Sequence, residues 1–314
     1  MLARLQQLTT LGLVLAAVAW AAYFVHIDSP VWALGGAMLI LLGYALVLAL
    51  EFVLLRFINR GDPAPRASLR QLLGALWGEV LSAPRVFCWR QPFRSHAVPD
   101  HLPAGANRRG VVLVHGFVCN RALWNPMMLR LRALGVPFIA VNLEPVFGSI
   151  DDYPAILEAA VARLAECTGQ PPLIVAHSMG GLALRAWWCE HAGDERAHHA
   201  VTIATPHRGT FLARFALTAN ARQMRIGSAW QRALASREPA QRYRRFTCFY
   251  GHCDNIVFPA SNATLPGADN RHVAGCAHVH MAHHDEVFNE VLSRLGSNAA
   301  SPRAASPSDA MPAR

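Results

Sequence analysis

The stretch Leu173–Trp188, "LIVAHSMGGLALRAWW", sets a serine between small residues where an apolar β-type run turns into a helix-type run. A serine hydroxyl is a poor nucleophile until a base takes its proton, and it must stand exposed to be reached. A strand–Ser–helix corner exposes it at the C-terminal edge of a sheet, provided its neighbours are tiny. Ala176 and Gly180 flank Ser178 two residues away on either side, and Gly181 follows. The start of the helix adds N–H donors and a positive dipole end. The pattern is the nucleophile elbow G-x-S-x-G with Ala176 in place of the first glycine, and alanine is the smallest substitute. The competing reading is a serine that caps a helix after a buried strand. The corner therefore has to be judged by the partners the rest of the chain supplies.

Three such partners stand at fitting places. Upstream, "VVLVHGFVCN" ends a buried strand at His115-Gly116-Phe117. An acyl-transfer oxyanion hole needs two backbone N–H groups, one from the residue after the nucleophile and one from a loop after an earlier strand. Met179 and Phe117 are the candidates, with the Gly116 corner turning the Phe117 amide inward. Downstream, "FTCFYGHCDNIVFP" places Asp254 on a polar loop past another buried strand, with Asp269 as the competing acid. Last, "HVAGCAHVHMAHHDEVF" offers His272, His278, His280, His283 and His284. A catalytic histidine belongs on the loop between the last strand and the closing helix. His278 fits best and His280 is its rival, while His283 and His284 begin the helix. The order Ser178, Asp254, His278 is the Ser-acid-His order of an α/β-hydrolase.

Around these motifs strands and helices alternate. "GVVLVH", "PFIAVNL", "PPLIVAHS" and "AVTIAT" read as buried strands, separated by amphipathic helices. One helix, "SIDDYPAILEAAVARLAECTG", opens with Ser149 and Asp152 as a capping box. This run predicts a mostly parallel sheet covered on both faces. Residues 207–244 break the rhythm and read as an inserted helical cap. "RFTCFYG" and "NRHVAG" resume the sheet, and "DEVFNEVLSRLG" closes it.

From Gly110 to about Gly296 the chain resembles the bacterial lipase/esterase branch of the α/β-hydrolase superfamily, on "HGF", "AHSMGG", "TPHRGT" and the "GCAH" ending. The resemblance implies an eight-stranded type of sheet, a movable cap and a Ser-His-Asp triad that works without a cofactor. Ala176 is a departure that some lipases of this branch share. "HVHMAHHD" suggests metal-binding H-x-H runs, but its aspartate follows the last histidine pair, so no metal is expected. No aspartate pair resembles the calcium sites of relatives. His207 of "TPHRGT" lies outside the Ser-acid-His order and reads as a turn and cap-anchor residue. His177, opposite its neighbour Ser178 by strand alternation, reads as packing.

The N-terminal part carries most of the chain's hydrophobic excess. Leu8–Val25 is 18 residues without a charge, and Val31–Leu50 is 20 more, followed by Glu51 and a short apolar run to Phe57. Each block is long enough for a hydrocarbon core of about 30 Å. Residues 8–25 and 31–57 therefore read as a transmembrane hairpin within residues 1–57, with Glu51 at an interface. A cleaved signal peptide ending near Ala19–Ala21 is the alternative. Arg4 precedes the hairpin, Arg56, Arg60, Arg66 and Arg70 follow it, and its turn holds Asp28. By the positive-inside rule both ends face the cytoplasm. Residues 58–109 read as a juxtamembrane linker. Its amphipathic segment "SLRQLLGALWGEVLSAPRVF" either packs on the domain at 110–296 or lies on the membrane. The tail 297–314 reads as disordered.

The net charge of +9 comes from 29 arginines without a single lysine, which reads as compositional bias. No aromatic-basic module or recognition motif accompanies it, so nucleic-acid binding is not expected. The seven cysteines are odd in number and form no CxxC pair, so neither a disulfide framework nor a zinc cluster is indicated. The expectation is a membrane-anchored serine hydrolase of hydrophobic esters, with a lipid-like substrate and the inner membrane as partners. An acyltransferase with the same triad and a non-catalytic membrane scaffold stand as alternatives. Acyl length and oligomeric state are not legible.

Overall fold

The computed structural model describes residues 1–191 and 194–296. The tail expected to be disordered lies outside them. Six strands form one sheet: β1 (Val111–Val114), β2 (Phe138–Ala140), β3 (Leu173–His177), β4 (His199–Ile203), β5 (Phe246–Tyr250) and β6 (Asp269–His272). Their order is β2-β1-β3-β4-β5-β6, and every pairing is parallel. The resemblance implied an eight-stranded type. Among the described residues the sheet has six strands, because nothing before β1 pairs with it as a strand.

The strands are short apolar runs because both faces are covered. Alternate residues point to opposite layers. Val112, Val114, Ile174 and Ala176 pack under the helices Pro154–Thr168 and Met179–Glu190, with Leu157, Val161, Leu182 and Trp187. Val111, Leu113, Leu173 and Val175 pack on the other side under Asn125–Ala133 and Asp285–Leu295, with Met128, Leu131, Val287 and Val291. The chain winds from β1 outward to β2 and then returns to β3 on β1's other side. That reversal opens a crevice at the C-terminal ends of β1 and β3, where open α/β sheets bind ligands.

The longer helices before the sheet are α1 (Leu2–His26), α2 (Pro30–Leu42), α3 (Tyr44–Ile58) and α4 (Leu69–Ala83). α1 alone is long and apolar enough to cross a membrane, at about 1.5 Å per residue. The second apolar block is not one straight helix. It divides at Gly43, where α2 and α3 meet at a bend of 54°. One face of α3 is committed to protein. Phe52 and Leu55 join Leu72 and Ala75 of α4 and Cys253, Phe258 and Ala277 in a separate small core.

Residues 58–109 touch the domain at several points, among them Asp62 with Ser261. Ser68 caps α4 through a capping box with Gln71. His101 bridges to Phe138 at the start of β2. α4 packs on the domain through one face only. Leu72, Ala75 and Glu79 are buried, while Leu69, Leu73, Trp77 and Leu81 form an exposed apolar stripe.

Candidate active site

Ser178 follows β3 directly, at φ 55° and ψ −129°. That conformation is sparsely populated for a residue with a side chain, and it persists only where surroundings impose it. Here the amide of Ser178 donates to Ile203 of β4 at 2.8 Å, and its carbonyl accepts from Gly181 at 3.0 Å. The small neighbours are required by contact. A Cβ on Gly180 would lie 2.5 Å from the His115 carbonyl oxygen, and one on Gly181 would lie 2.2 Å from the Thr205 hydroxyl. Gly116 comes so near the serine that its Cβ would lie 2.8 Å from the Ser178 Cβ.

The loop after β1 is held from two sides. His115 Nε2 accepts from the Leu143 amide at 3.0 Å, so Nδ1 carries the proton and donates to the Gly116 carbonyl at 2.9 Å. Burial lowers the His115 pKa to about 4, in keeping with that neutral state. With the Gly116 carbonyl tied to His115, the Phe117 N–H of the same planar peptide points the opposite way. Val118 sits at φ 52°, an outlier for a β-branched residue. Met179 opens its helix, so its amide is one of those without an intrahelical acceptor.

Asp254 and His278 meet. His278 Nδ1 lies 2.9 Å and 3.1 Å from the two Asp254 oxygens. Asp254 Oδ1 also accepts from the amides of Ile256 and Val257 at 3.0 and 2.8 Å, which orients the carboxylate. Asp254 is 1% exposed and His278 5%. Burial would lower the imidazole pKa, but the Asp254 charge and hydrogen bond outweigh it and raise it above its usual value. With Nδ1 donating to Asp254, Nε2 is the basic atom. Ser178 and His278 line one cavity of about 190 Å³, together with Gly116, Phe117 and His177. Cys119 also lines it, but burial pushes its thiol up to about 12, so it is no rival nucleophile.

The other candidates lie elsewhere. Asp269 pairs with Arg271 and Arg294 on the far strand β6. His280 is exposed beside Gly78 of α4. His283 faces Arg90, and His284 caps the closing helix. His272 packs between Tyr250 and His252. His207 is buried against Thr202, and its carbonyl accepts from Arg185, which pairs with Glu238 of the 207–244 insertion. That insertion forms short helices, and none of its residues lines the cavity. Among the described residues no group of three or more His, Cys, Asp or Glu is placed to hold a metal.

His177 needs a correction. It does not merely pack: its ring lies 4.6 Å from that of His278, and its Nε2 donates to the His278 carbonyl at 3.1 Å. Strand alternation turned it from Ser178, but the left-handed corner brings the histidine loop over both. Sequence reading also missed Glu51, Glu79 and Asn255. Glu51 and Glu79 line the cavity with Asn255. The available signal was an acidic residue inside each of two apolar helical patterns.

The sequence profile of the Alpha/beta hydrolase family matches residues 111–261, which span β1 to the loop past Asp254. The strand order, the crossovers and the β3 corner agree with it. The fold is that of an α/β-hydrolase. No curated protein matches the sequence. Among solved structures, the mature form of a Bacillus licheniformis lipase superposes with a TM-score of 0.54 at 18% identity, covering 62% of this chain and 95% of that one. Aspergillus fumigatus lipase B superposes with a TM-score of 0.50 at 16% identity, covering 62% of this chain and 55% of that one. At such identities these likenesses bear on the α/β-hydrolase fold alone.

Proposed function

We propose that this protein is a membrane-associated serine hydrolase that cleaves carboxylic esters with hydrophobic acyl chains. Ser178 Oγ attacks the ester carbonyl while His278 Nε2 takes its proton. The carbonyl oxygen becomes an oxyanion, held by the amides of Phe117 and Met179. The tetrahedral intermediate collapses, the C–O bond to the alcohol breaks, and His278 returns the proton to the leaving oxygen. Water, deprotonated by His278, then attacks the acyl-serine, and as the C–O bond to Ser178 breaks, His278 returns the proton to the serine oxygen and the acid leaves. Asp254 fixes the imidazole tautomer and stabilises its charged form.

The observation that carries this reading is the strained Ser178 corner sharing one cavity with the buried Asp254–His278 pair. The membrane part rests on the apolar length of α1 and on the exposed stripe of α4. The arginines after Phe57 favour a cytoplasmic hydrolase domain. A fluorophosphonate probe tests the chemistry. It should label the wild-type protein at Ser178 and leave Ser178→Ala unlabelled. Labelling that persists in Ser178→Ala would remove the proposed nucleophile.

A further inference from the structure

The proposed chemistry is carried by residues of the α/β-hydrolase fold, but the cavity is not lined by that fold alone. Leu48 and Glu51 of α3, Glu79 and Ala83 of α4, and Phe87 just after it complete its wall. We infer that α3 and α4 are part of the catalytic site: their apolar side chains hold the acyl chain, and their two carboxyl groups position the His278 loop. This rests on the serine-hydrolase reading above.

The carboxyl groups are the telling feature. Glu79 is 2% exposed on a helix face whose other buried residues are Leu72 and Ala75. A carboxyl group there is costly unless it is hydrogen-bonded. It accepts from the Val279 amide at 3.1 Å and the His280 amide at 3.3 Å, the two residues that follow His278. The His278 amide itself donates to Asn255 Oδ1 at 3.2 Å. Asn255 is fully buried, and its Nδ2 donates to Glu51 at 2.7 Å. Three consecutive amides, those of residues 278 to 280, are thus held by groups that belong to α3 and α4 or depend on them. A helix serving only as packing would present apolar residues to this loop.

The apolar residues define the ligand. Leu48, Ala83 and Phe87 line the same cavity as the Gly116–Phe117 loop and Ser178. A wall built this way takes a single extended acyl chain, whose ester carbonyl ends at Ser178. Both helices adjoin the apolar N-terminal part, and α4 turns its Leu69–Trp77 stripe outward. The substrate class is therefore an ester with one long acyl chain, held between the domain and the wall that α3 and α4 supply.

The full-length protein tests this in detergent with p-nitrophenyl acetate and p-nitrophenyl decanoate. Leu48→Trp fills the wall and should lower the decanoate-to-acetate ratio of kcat/KM by about tenfold or more. Glu79→Ala should lower kcat by about 10²-fold with KM little changed, as when a reacting group is displaced by about 1 Å. Glu79→Gln keeps one acceptor oxygen and should recover part of that loss. A purely structural Glu79 would lower the unfolding temperature and leave kcat intact below it, which overturns the positioning role. Equal losses on both esters in Leu48→Trp overturn the acyl wall. Should Glu79→Ala fail to fold, Glu79→Gln decides in its place: a kcat equal to that of the wild type overturns the positioning role. Ser178→Ala is the control: if it remains active, the underlying reading has failed, whereas an inactive Ser178→Ala beside an unshifted chain-length ratio sinks only this inference.

Discussion

At Ser178 the backbone is held at φ 55° by the β4 carbonyl on one side and the close-packed glycines on the other. Removing only the hydroxyl leaves that geometry in place. Ser178→Ala should therefore fold normally and lose about 10⁴-fold or more of esterase activity, because members of such a triad act as a unit. His278→Ala should match it. His280→Ala, which removes an exposed ring outside the cavity, should cost less than about tenfold by comparison. An essential His280 would mean that the loop is misassigned. Asp254→Asn should cost about 10⁴-fold by favouring the wrong imidazole tautomer. It should also move the pH profile. The acidic groups facing His278 are Asp254, Glu79 and Glu51, with the neutral His177 ring beside it. Burial depresses the His278 pKa, but the Asp254 charge and hydrogen bond above all raise it over its usual value, since burial favours the neutral form of Glu79. The imidazole must be unprotonated to act as the base, so activity falls as pH drops through that raised value. Without the Asp254 charge, the acid limb of the residual kcat/KM should shift to lower pH. An unmoved or upward-shifted limb would show that another group sets it.

At the scale of elements, the helix Met179–Glu190 presses its first turn against the end of β1. Gly180→Ala would push a Cβ to 2.5 Å from the His115 carbonyl oxygen, a backbone atom that cannot swing aside. The expected cost is about 1–3 kcal/mol of stability. For a chain of this size that is about 2–4 °C in Tm per kcal/mol, measurable by thermal unfolding. An unchanged Tm would mean that the helix start can slide. α4 makes a different prediction. Its stripe of Leu69, Leu73, Trp77 and Leu81 is exposed and lies on the side away from the small core. A double change of Leu73→Ser and Trp77→Ser should leave folding and the hydrolysis of p-nitrophenyl acetate intact. Turnover of long-chain esters dispersed in phospholipid vesicles should fall, since interfacial binding scales with the apolar area inserted. Equal rates on both substrates would free the stripe from any membrane role.

At the scale of the whole molecule, the N-terminal helices and the α/β domain share one body. α1 is stapled to the domain at its foot, where Gln6 reaches Gln91 and the Val118 carbonyl and Gln7 reaches the Pro92 carbonyl. Val118 belongs to the same strained loop as Phe117. α3 returns to the domain beside Asn255. The cavity beside Ser178 and His278 thus lies at the root of the N-terminal helices rather than at the end of a tether. A reporter active only outside the cytoplasm should be silent when fused after Gly296 and active when placed between Ile27 and Pro30. The reverse pattern would put the enzyme on the outer face, against the arginine distribution.

The tight corner at Ser178 and the strand–helix alternation were legible because each is a local signal. A tight corner needs small residues within two or three positions, and a doubly covered strand needs a continuous apolar run. The capping box of Ser149 and Asp152 is local in the same way and is present. What α3 and α4 pack against was not legible. An amphipathic helix has the same periodicity whether its apolar face meets protein or lipid, and Glu51 in an apolar run reads equally as a membrane-interface residue. The contacts that decide it join residues about two hundred positions apart, Glu51 with Asn255 and Glu79 with Val279. Such pairings are set by how the folded surfaces fit, and no spacing along the chain encodes them. So the chain by itself determined the corner on which Ser178 stands, and only the tertiary structure decided that the N-terminal helices close over it.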